Sequence, residues 1–240
     1  MTKLIGGNIS DTPIKNIGDG SALSAGGGGV AALISMETPA DINTTYSSTT
    51  ELLAPSSNTD GVLVNWAHLT SPSGSTVFSS ILAATSSPSS FTDGRAIMIG
   101  RGALSPHLAS SWNAVVIPAG YGIYVVPNGV TVGVTMGWSA LPSNGVIFPT
   151  VGESIAYGSG YTYLDVFTAG ANTNGAIVTG FTIAGTDGTV DVYIGANPIA
   201  WTPGAVGSFA GGPMLIEAGK NFRLYHWGAT AWGAAAYTLL

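Results

Sequence analysis

The chain has 240 residues, enough for one or two domains. Only 8% of them are charged, where about 25% is typical of a soluble domain, and 45% are hydrophobic, which excludes an intrinsically disordered chain. Six scattered basic residues against twelve acidic ones argue against a nucleic-acid partner, and the lack of cysteine excludes disulfides and thiolate chemistry. So few charges protect a surface poorly against association. We therefore expect much of the surface to be covered in an assembly; the alternative is a monomer kept soluble by hydroxyl groups.

The N-terminal region predicts neither export nor membrane insertion. Its first residues lack the apolar core of a signal peptide. The most apolar early run, residues 26–36, is too short and too rich in glycine to span a bilayer. We expect a protein made in the cytoplasm without a signal peptide.

Residues 1–49 are predicted to form an extended, glycine-rich N-terminal arm. The run Gly26–Gly29 is typical of a flexible tether. The few large apolar groups of the arm are spaced to place an extended strand in a groove or at a sheet edge of a neighbouring molecule. These predicted docking residues are Leu4, Ile5, Ile9, Ile14 and Ile17. The alternatives are a tail without a docking role and an arm that supplies a strand to the first sandwich.

The rest of the chain alternates apolar and polar residues with a period of two. Val132, Val134, Met136 and Trp138 alternate in this way with small or polar residues. Glycine and proline turns recur every 8–12 residues, and outside a short helical turn near residues 30–34 no 12-residue stretch has helical periodicity. This pattern predicts an all-β sandwich or barrel.

An internal repeat divides the chain into two copies. Residues 58–64 reappear as residues 172–178 at an offset of 114, and residues 117–120 reappear as residues 216–219 at an offset of 99. The first copy therefore holds 15 extra residues in its middle, which we place in a loop around residues 86–111. Each copy offers about seven strands.

The repeat predicts two tandem, internally repeated β-sandwich domains of jelly-roll-like form behind the arm. The predicted boundaries are residues 50–142 for the first sandwich, 143–160 for a linker and 161–240 for the second sandwich.

Residues that could carry chemistry are few. His68, His107 and His226 have no metal-binding spacing, and each is more typical of a surface or hydrogen-bonded structural histidine. The chain has no nucleophile elbow and no phosphate loop. Asp187 and Asp191 are close in sequence, but a turn and a solvent-facing strand position explain them. The sequence predicts no catalytic residue, no metal site and no cofactor, and thus a protein that is not an enzyme; a glycan hydrolase is the remaining enzymatic alternative.

The aromatic residues fall into two predicted groups. Those at inward strand positions are expected in the core: Trp66, Trp138, Phe181 and Tyr237. Those nearer loops or strand ends are expected to fill interfaces or to stack on sugars: Trp112, Trp201, Trp227 and Trp232. Tyr157, Tyr161 and Tyr163 lie between the copies and are expected to hold the two domains together.

The repeated phrases resemble the small β-sandwiches of tailed-bacteriophage surface proteins, of the head decoration or fibre and the tail tip or fibre types. The resemblance rests on residues 58–61 and 117–124, with their echoes at 172–175 and 216–219. It implies a virion structural protein, homotrimeric and anchored by one end. The implied partners are further copies of the chain and other virion proteins such as the major capsid protein.

Two functions follow as hypotheses. The first is a non-enzymatic protein that decorates or reinforces the phage head, as a cement or head fibre docked through its arm. The alternative is a tail component or fibre that binds host-surface glycan through loop aromatics. Both expect the protein in the virion.

Overall fold

A computed structural model describes residues 40–71, 77–101, 107–111, 115–141, 150–185, 190–201, 207–228 and 231–240. These residues form antiparallel strands, with a single 3-10 turn at Pro55–Ser57 as their helical element. The predicted fold class, all-β with two tandem sandwiches, is confirmed. In the part of the chain described, no helix is long and apolar enough to cross a bilayer. The predicted docking residues of the arm lie outside the described residues.

The first sandwich consists of nine strands in two sheets. The strands are β1 (Ala40–Tyr46), β2 (Thr50–Leu53), β3 (Val62–Ser71), β4 (Phe78–Ala84), β5 (Arg95–Arg101), β6 (His107–Ser111), β7 (Val115–Ile117), β8 (Gly122–Val126) and β9 (Val132–Ala140). Sheet A has the order β1-β9-β3-β6, with β7 also paired to β3. Sheet B has the order β2-β8-β4-β5.

The second sandwich repeats this arrangement strand for strand. Its strands are β10 (Ser154–Ser159), β11 (Thr162–Phe167), β12 (Ala176–Gly185), β13 (Val190–Ile194), β14 (Asn197–Trp201), β15 (Gly207–Gly211), β16 (Met214–Ile216), β17 (Phe222–His226) and β18 (Trp232–Leu239). Sheet C has the order β10-β18-β12-β15, with β16 beside β12, and sheet D has the order β11-β17-β13-β14. If β6 and β7 count as one interrupted strand, each sandwich has the two four-stranded sheets of a jelly roll.

A buried asparagine explains why the first repeated phrase recurs. The Asn58 side-chain nitrogen donates to the carbonyls of Pro118 and Tyr121, both at 2.8 Å. The carbonyl of Asn58 accepts from the Gly120 N–H at 2.8 Å. Asn172 repeats all three bonds at the equivalent positions of the second sandwich, at 2.7–2.8 Å. Each asparagine thus ties the segment before the third strand to the turn before the eighth.

The two sandwiches pack against each other through sheets B and C. Every residue of β4 is buried, because one face of sheet B lines the first core and the other faces sheet C. Trp232 of sheet C is 1% exposed. The buried residues between the sandwiches are Phe78, Leu82, Ala96, Ile99, Val126, Trp232, Ala234 and Ala236. Sheets B and C therefore lie between sheets A and D, and at one edge β6 of sheet A also approaches β15 of sheet C.

The extra residues of the first copy serve this contact. Residues 84–94 join Ala83 to its partner Arg95, whereas residues 195–196 alone join the equivalent strands of the second sandwich. Nine of the 15 extra residues therefore lie in the β4–β5 loop, and the others lie elsewhere between β3 and β7. The loop places Phe91 against Phe78 and Tyr157, at ring-centroid distances of 5.3 and 5.1 Å. The predicted loop around residues 86–111 was too wide, because β5 and β6 lie within it.

Both predicted domain starts require correction. β1 pairs with β9, so the first sandwich begins inside the predicted arm of residues 1–49. β10 pairs with β18, so the second begins inside the predicted linker of residues 143–160. Both are half-exposed edge strands, whose many polar and small residues resemble a loop. The alternative in which the arm supplies a strand to the first sandwich is correct for Ala40–Tyr46.

We predict that Asn172→Ala lowers the free energy of unfolding by about 2–3 kcal/mol, because it removes the two hydrogen bonds that the buried Asn172 amide donates to the carbonyls of Glu217 and Lys220. Urea denaturation measures the loss. The control Asn197→Ala removes the same group from an exposed position and should change stability by less than about 0.5 kcal/mol. Equal effects of the two variants would contradict a structural role of the buried amide.

We also predict that Phe91→Ala destabilises the protein by about 2 kcal/mol, since it removes a ring contact to Phe78 within the first sandwich and one to Tyr157 of the second. The measurement is urea denaturation, with limited proteolysis of residues 84–94 as a local readout. Tyr161→Ala removes a ring that is 78% exposed and serves as the control. If both variants denature at the same urea concentration, the β4–β5 loop does not stabilise the contact between the sandwiches.

Candidate ligand-binding site

The three histidines do not form a site. His68 lies half-buried in β3, and His226 is the last residue of β17 rather than part of a loop. The side chain of His107 lies outside the described residues. Within the described ranges, no group of three or more potential metal-ligating side chains occurs.

His226 is a core residue that stays uncharged at neutral pH. It is 1% exposed, and its ring packs so closely that a Cβ on Gly158 or Gly233 would lie 3.0–3.1 Å from it. No well-formed hydrogen bond reaches either ring nitrogen. Desolvation lowers the pKa of His226 to about 4, and the nearby backbone of Thr162 opposes this only in part. The residue therefore fills space between sheets C and D.

Three of the four aromatics predicted for the core are there, and one is not. Trp138, Phe181 and Tyr237 pack in the two cores. The prediction for Trp66 was wrong, because a β-bulge between Val64 and Trp66 shifts the alternation by one residue. The Trp66 ring lies on the outer face of sheet A, where a Cβ on Gly137 would overlap it.

The four candidate interface or sugar-stacking tryptophans do not form one group in the structure: one is buried, one is half exposed, and the side chains of the other two lie outside the described residues. Trp232 is buried between the sandwiches, which leaves it no face for a sugar. Trp227 is 49% exposed. The backbone of Trp201 belongs to β14, but its side chain lies outside the described residues, as does all of Trp112.

The outer face of sheet D gathers aromatic and charged side chains. Because alternate residues of a strand face the same side, the side chains next to inward Phe222 and Leu224 point outward. Tyr163, Tyr225 and Asp191 are direct cross-strand partners, and so are Asp165, Arg223 and Tyr193. With Trp227 these residues form what we call the sheet-D platform: Tyr163, Asp165, Asp191, Tyr193, Arg223, Tyr225 and Trp227.

The rings of the platform pack on one another. Tyr163 and Tyr225 are stacked, with centroids 3.8 Å apart and planes inclined by 13°. Trp227 meets Tyr225 at 4.2 Å and 68°. The guanidinium carbon of Arg223 lies 5.2 Å from the centre of the Tyr163 ring. These contacts fix the rings before any ligand arrives, which lowers the entropic cost of binding.

Charged partners hold the platform in place. Arg223 Nε donates to Asp165 Oδ1 at 2.6 Å, and this bond raises the pKa of Arg223. Trp227 Nε1 donates to Asp191 Oδ2 at 3.0 Å, which fixes the indole. Desolvation, together with Tyr163 and Asp191, raises the pKa of Tyr225, so its phenol keeps its proton at neutral pH. The platform thus offers neutral hydroxyls beside paired charges.

A cavity of about 310 Å³ opens onto the platform. This lies at the lower end of the roughly 300–1,000 Å³ of small-molecule sites. Its lining residues are Tyr163, Tyr193, Gly195, Ala196, Arg223, Tyr225 and Trp227. Gly195 and Ala196 form the short β13–β14 turn, so among the described residues only a two-residue connection borders the cavity on this side.

A second, larger cavity of about 500 Å³ lies where the sandwiches meet. Arg95 reaches across it to Glu153 at 3.4 Å and lies over the Tyr121 ring at 4.7 Å. We favour the platform despite its smaller cavity, because here Arg95 covers the aromatic face that a ligand would need.

Most of the platform was missed from the sequence. Tyr163 was expected to hold the domains together, but it lies on the platform, and of the three tyrosines between the copies Tyr157 makes the inter-sandwich ring contacts. Tyr193, Arg223 and Tyr225 were not singled out. The sequence does contain a pattern that indicates their outward position, since each is next to a buried residue of its strand.

Comparison of the chain with protein-family models, with curated proteins and with solved structures found no significant match.

We predict that the protein loses stability as the pH falls from about 6.5 to 4. In this window His226 takes up a proton when unfolded but not when folded, so protonation favours the unfolded state. The shift from 6.5 to about 4 corresponds to about 3 kcal/mol. Urea denaturation at several pH values measures the loss. His226→Leu should flatten the curve in this window, and a curve identical to that of the unmodified protein would refute the assignment.

Proposed function

We propose that the chain is a non-enzymatic virion surface protein whose sheet-D platform binds a host-surface glycan. The observation that carries the proposal is the exposed, pre-arranged set of rings beside one ion pair, Arg223–Asp165, and one hydrogen bond from the Trp227 indole to Asp191. Aromatic faces complement the C–H patches of sugar rings, and neighbouring polar groups hydrogen-bond the hydroxyls. Of the two hypotheses from the sequence, the platform favours the tail component or fibre that binds glycan over the head decoration protein.

Binding fits the platform better than hydrolysis does. A glycosidase needs two carboxyl groups that can exchange a proton or attack the sugar. Asp165 is held by Arg223 and Asp191 by the Trp227 indole, so both carboxylates already accept bonds from positioned donors. Such pairs orient a ligand and its aromatic support.

The first sandwich supports the same conclusion by contrast. Its equivalent sheet, sheet B, carries Leu82 and Val126 where sheet D carries Tyr193 and Tyr225, and these apolar residues are buried against sheet C. The polar and aromatic composition of sheet D therefore suits a hydrated ligand. Attachment to the particle through the N-terminal arm and assembly into a homotrimer with other virion proteins remain part of the proposal.

Glycan-array screening of the purified chain, followed by calorimetry on the best ligand, tests the proposal. We predict that Trp227→Ala weakens binding by at least about tenfold, because it removes an exposed stacking surface. Its melting temperature should stay nearly unchanged, since the ring is half exposed. Tyr161→Ala, which removes an exposed ring outside the platform, is the control and should bind normally.

Two outcomes contradict the proposal. Lack of binding to any glycan by the unmodified chain would remove its basis. Light scattering gives the mass of the purified protein in solution. If Trp227→Ala changes that mass and leaves glycan binding intact, the platform is an interface between protein chains.

A further inference from the structure

The seventh strands of the two sandwiches occupy equivalent places. Leu63 pairs with Val116 in the first sandwich, and Ile177 pairs with Leu215 in the second, at the same register. Both β7 and β16 are three residues long. In the first sandwich β6 and β7 pair one after the other with β3, and in the second β15 and β16 pair in the same way with β12. What covers one of them can therefore be compared directly with what covers the other.

The outer edge of β7 is covered by the chain itself. Thr150 pairs with Val116 in parallel orientation, and the Val151 N–H donates to the Val116 carbonyl at 2.8 Å. The Val151 side chain is fully buried in the first core. Residues 150–153 then continue into the second sandwich, where Gly152 N–H donates to Thr179 Oγ1 at 2.9 Å.

The same edge of β16 has no partner strand within the described ranges. Among the residues that the structure describes, β16 pairs with β12 alone. Leu215, the equivalent of Val116, is 71% exposed. An unpaired sheet edge with an exposed apolar side chain is a site for strand addition, because its free backbone groups and its side chain both gain a partner.

One segment of the arm matches the segment that covers β7. Residues 150–153 read Thr-Val-Gly-Glu, and residues 16–19 read Asn-Ile-Gly-Asp. Each position keeps its character: polar, β-branched aliphatic, glycine and acidic. We propose that residues 16–19 of the chain's own arm add to the outer edge of β16 as a parallel strand, with Asn16 opposite Leu215 and the Ile17 N–H donating to the Leu215 carbonyl.

The arm joins the first sandwich in the same row of residues as β7, because Ala40 pairs with Trp138, Trp138 with Val64 and Val64 with Val115, three strand spacings or about 14 Å away. About 23 residues separate Ile17 from Ala40, where β1 begins, and a glycine-rich chain of that length has a typical end-to-end distance of about 27 Å. β16 lies close to the junction of the sandwiches, since Val178 pairs with Met214 and the next residue, Thr179, contacts Gly152. A tether of this kind keeps the segment at an effective concentration of about millimolar, which favours the arm of the same chain over that of another.

Disulfide trapping tests the proposal, because the chain has no cysteine of its own. The test variant carries Asn16→Cys and Leu215→Cys. The matched positive control carries Thr150→Cys and Val116→Cys, which are partners in the structure. A variant with Asn8→Cys and Leu215→Cys measures random collisions of the arm with the edge.

We expect the test variant to oxidise to a cross-linked monomer at least about tenfold faster than the Asn8 variant and at a rate close to that of the positive control. Peptide mapping would identify the bond. A test variant that cross-links no faster than the Asn8 variant, while the positive control cross-links, overturns the proposal. A bond formed only between two chains also overturns it and makes the edge an interface between copies.

A second variant guards against a strained cysteine pair. Ile17→Asp should increase the hydrogen exchange of residues 16–19 in the otherwise unmodified chain, whereas Ile9→Asp should not. If residues 16–19 exchange hydrogen equally fast in both variants and in the unmodified protein, the proposed pairing of these residues with β16 is wrong. The proposal is independent of glycan binding, which neither change touches.

Discussion

The packing of sheet B against sheet C is the contact on which the rest of the molecule depends. A jelly roll alone needs one buried face for each sheet, yet sheet B is buried on both. The chain therefore has two sandwich cores and a third apolar layer between them. Because this third layer consists of residues of sheets B and C, those two sheets face each other and sheets A and D form the outer surfaces. The proposed glycan-binding platform lies on one of these outer surfaces, that of sheet D.

Side chains at equivalent positions of the two sandwiches differ in size between the open face of sheet A and the covered face of sheet C. On open sheet A, Trp66 lies across Gly137. On covered sheet C, the equivalent positions are Gly180 and Ala236, both of which line the narrow space beside β5. A tryptophan at residue 180 would hold the sandwiches apart, because close packing tolerates no ring in that gap. Two copies of one fold have thus been adapted to different neighbours by exchanges at a few positions.

The strands of the sandwich interior were predictable because burial on one face imposes an alternation that the sequence shows. The repeat was predictable because Asn58 and Asn172 need the same neighbours to satisfy the same bonds. The position of Trp66 was not, since a single bulge reverses the alternation and no residue type announces it. The platform was not predicted either, because it depends on which side chains of β11, β13 and β17 become neighbours, and that is set by strand order.

The contact between sheets B and C joins two different faces, so it is not self-complementary. Contacts of this kind can in principle continue from one molecule to the next without closing, as in a filament. The outer face of sheet A presents Trp66, and the outer face of sheet D presents Asp165, Asp191 and Arg223. In a protein with so few charges, we expect the three charged residues of sheet D to oppose fibrous self-assembly. Their replacement by small apolar residues would recreate at sheet D the kind of surface that sheet B has, and with it a route to open-ended polymers.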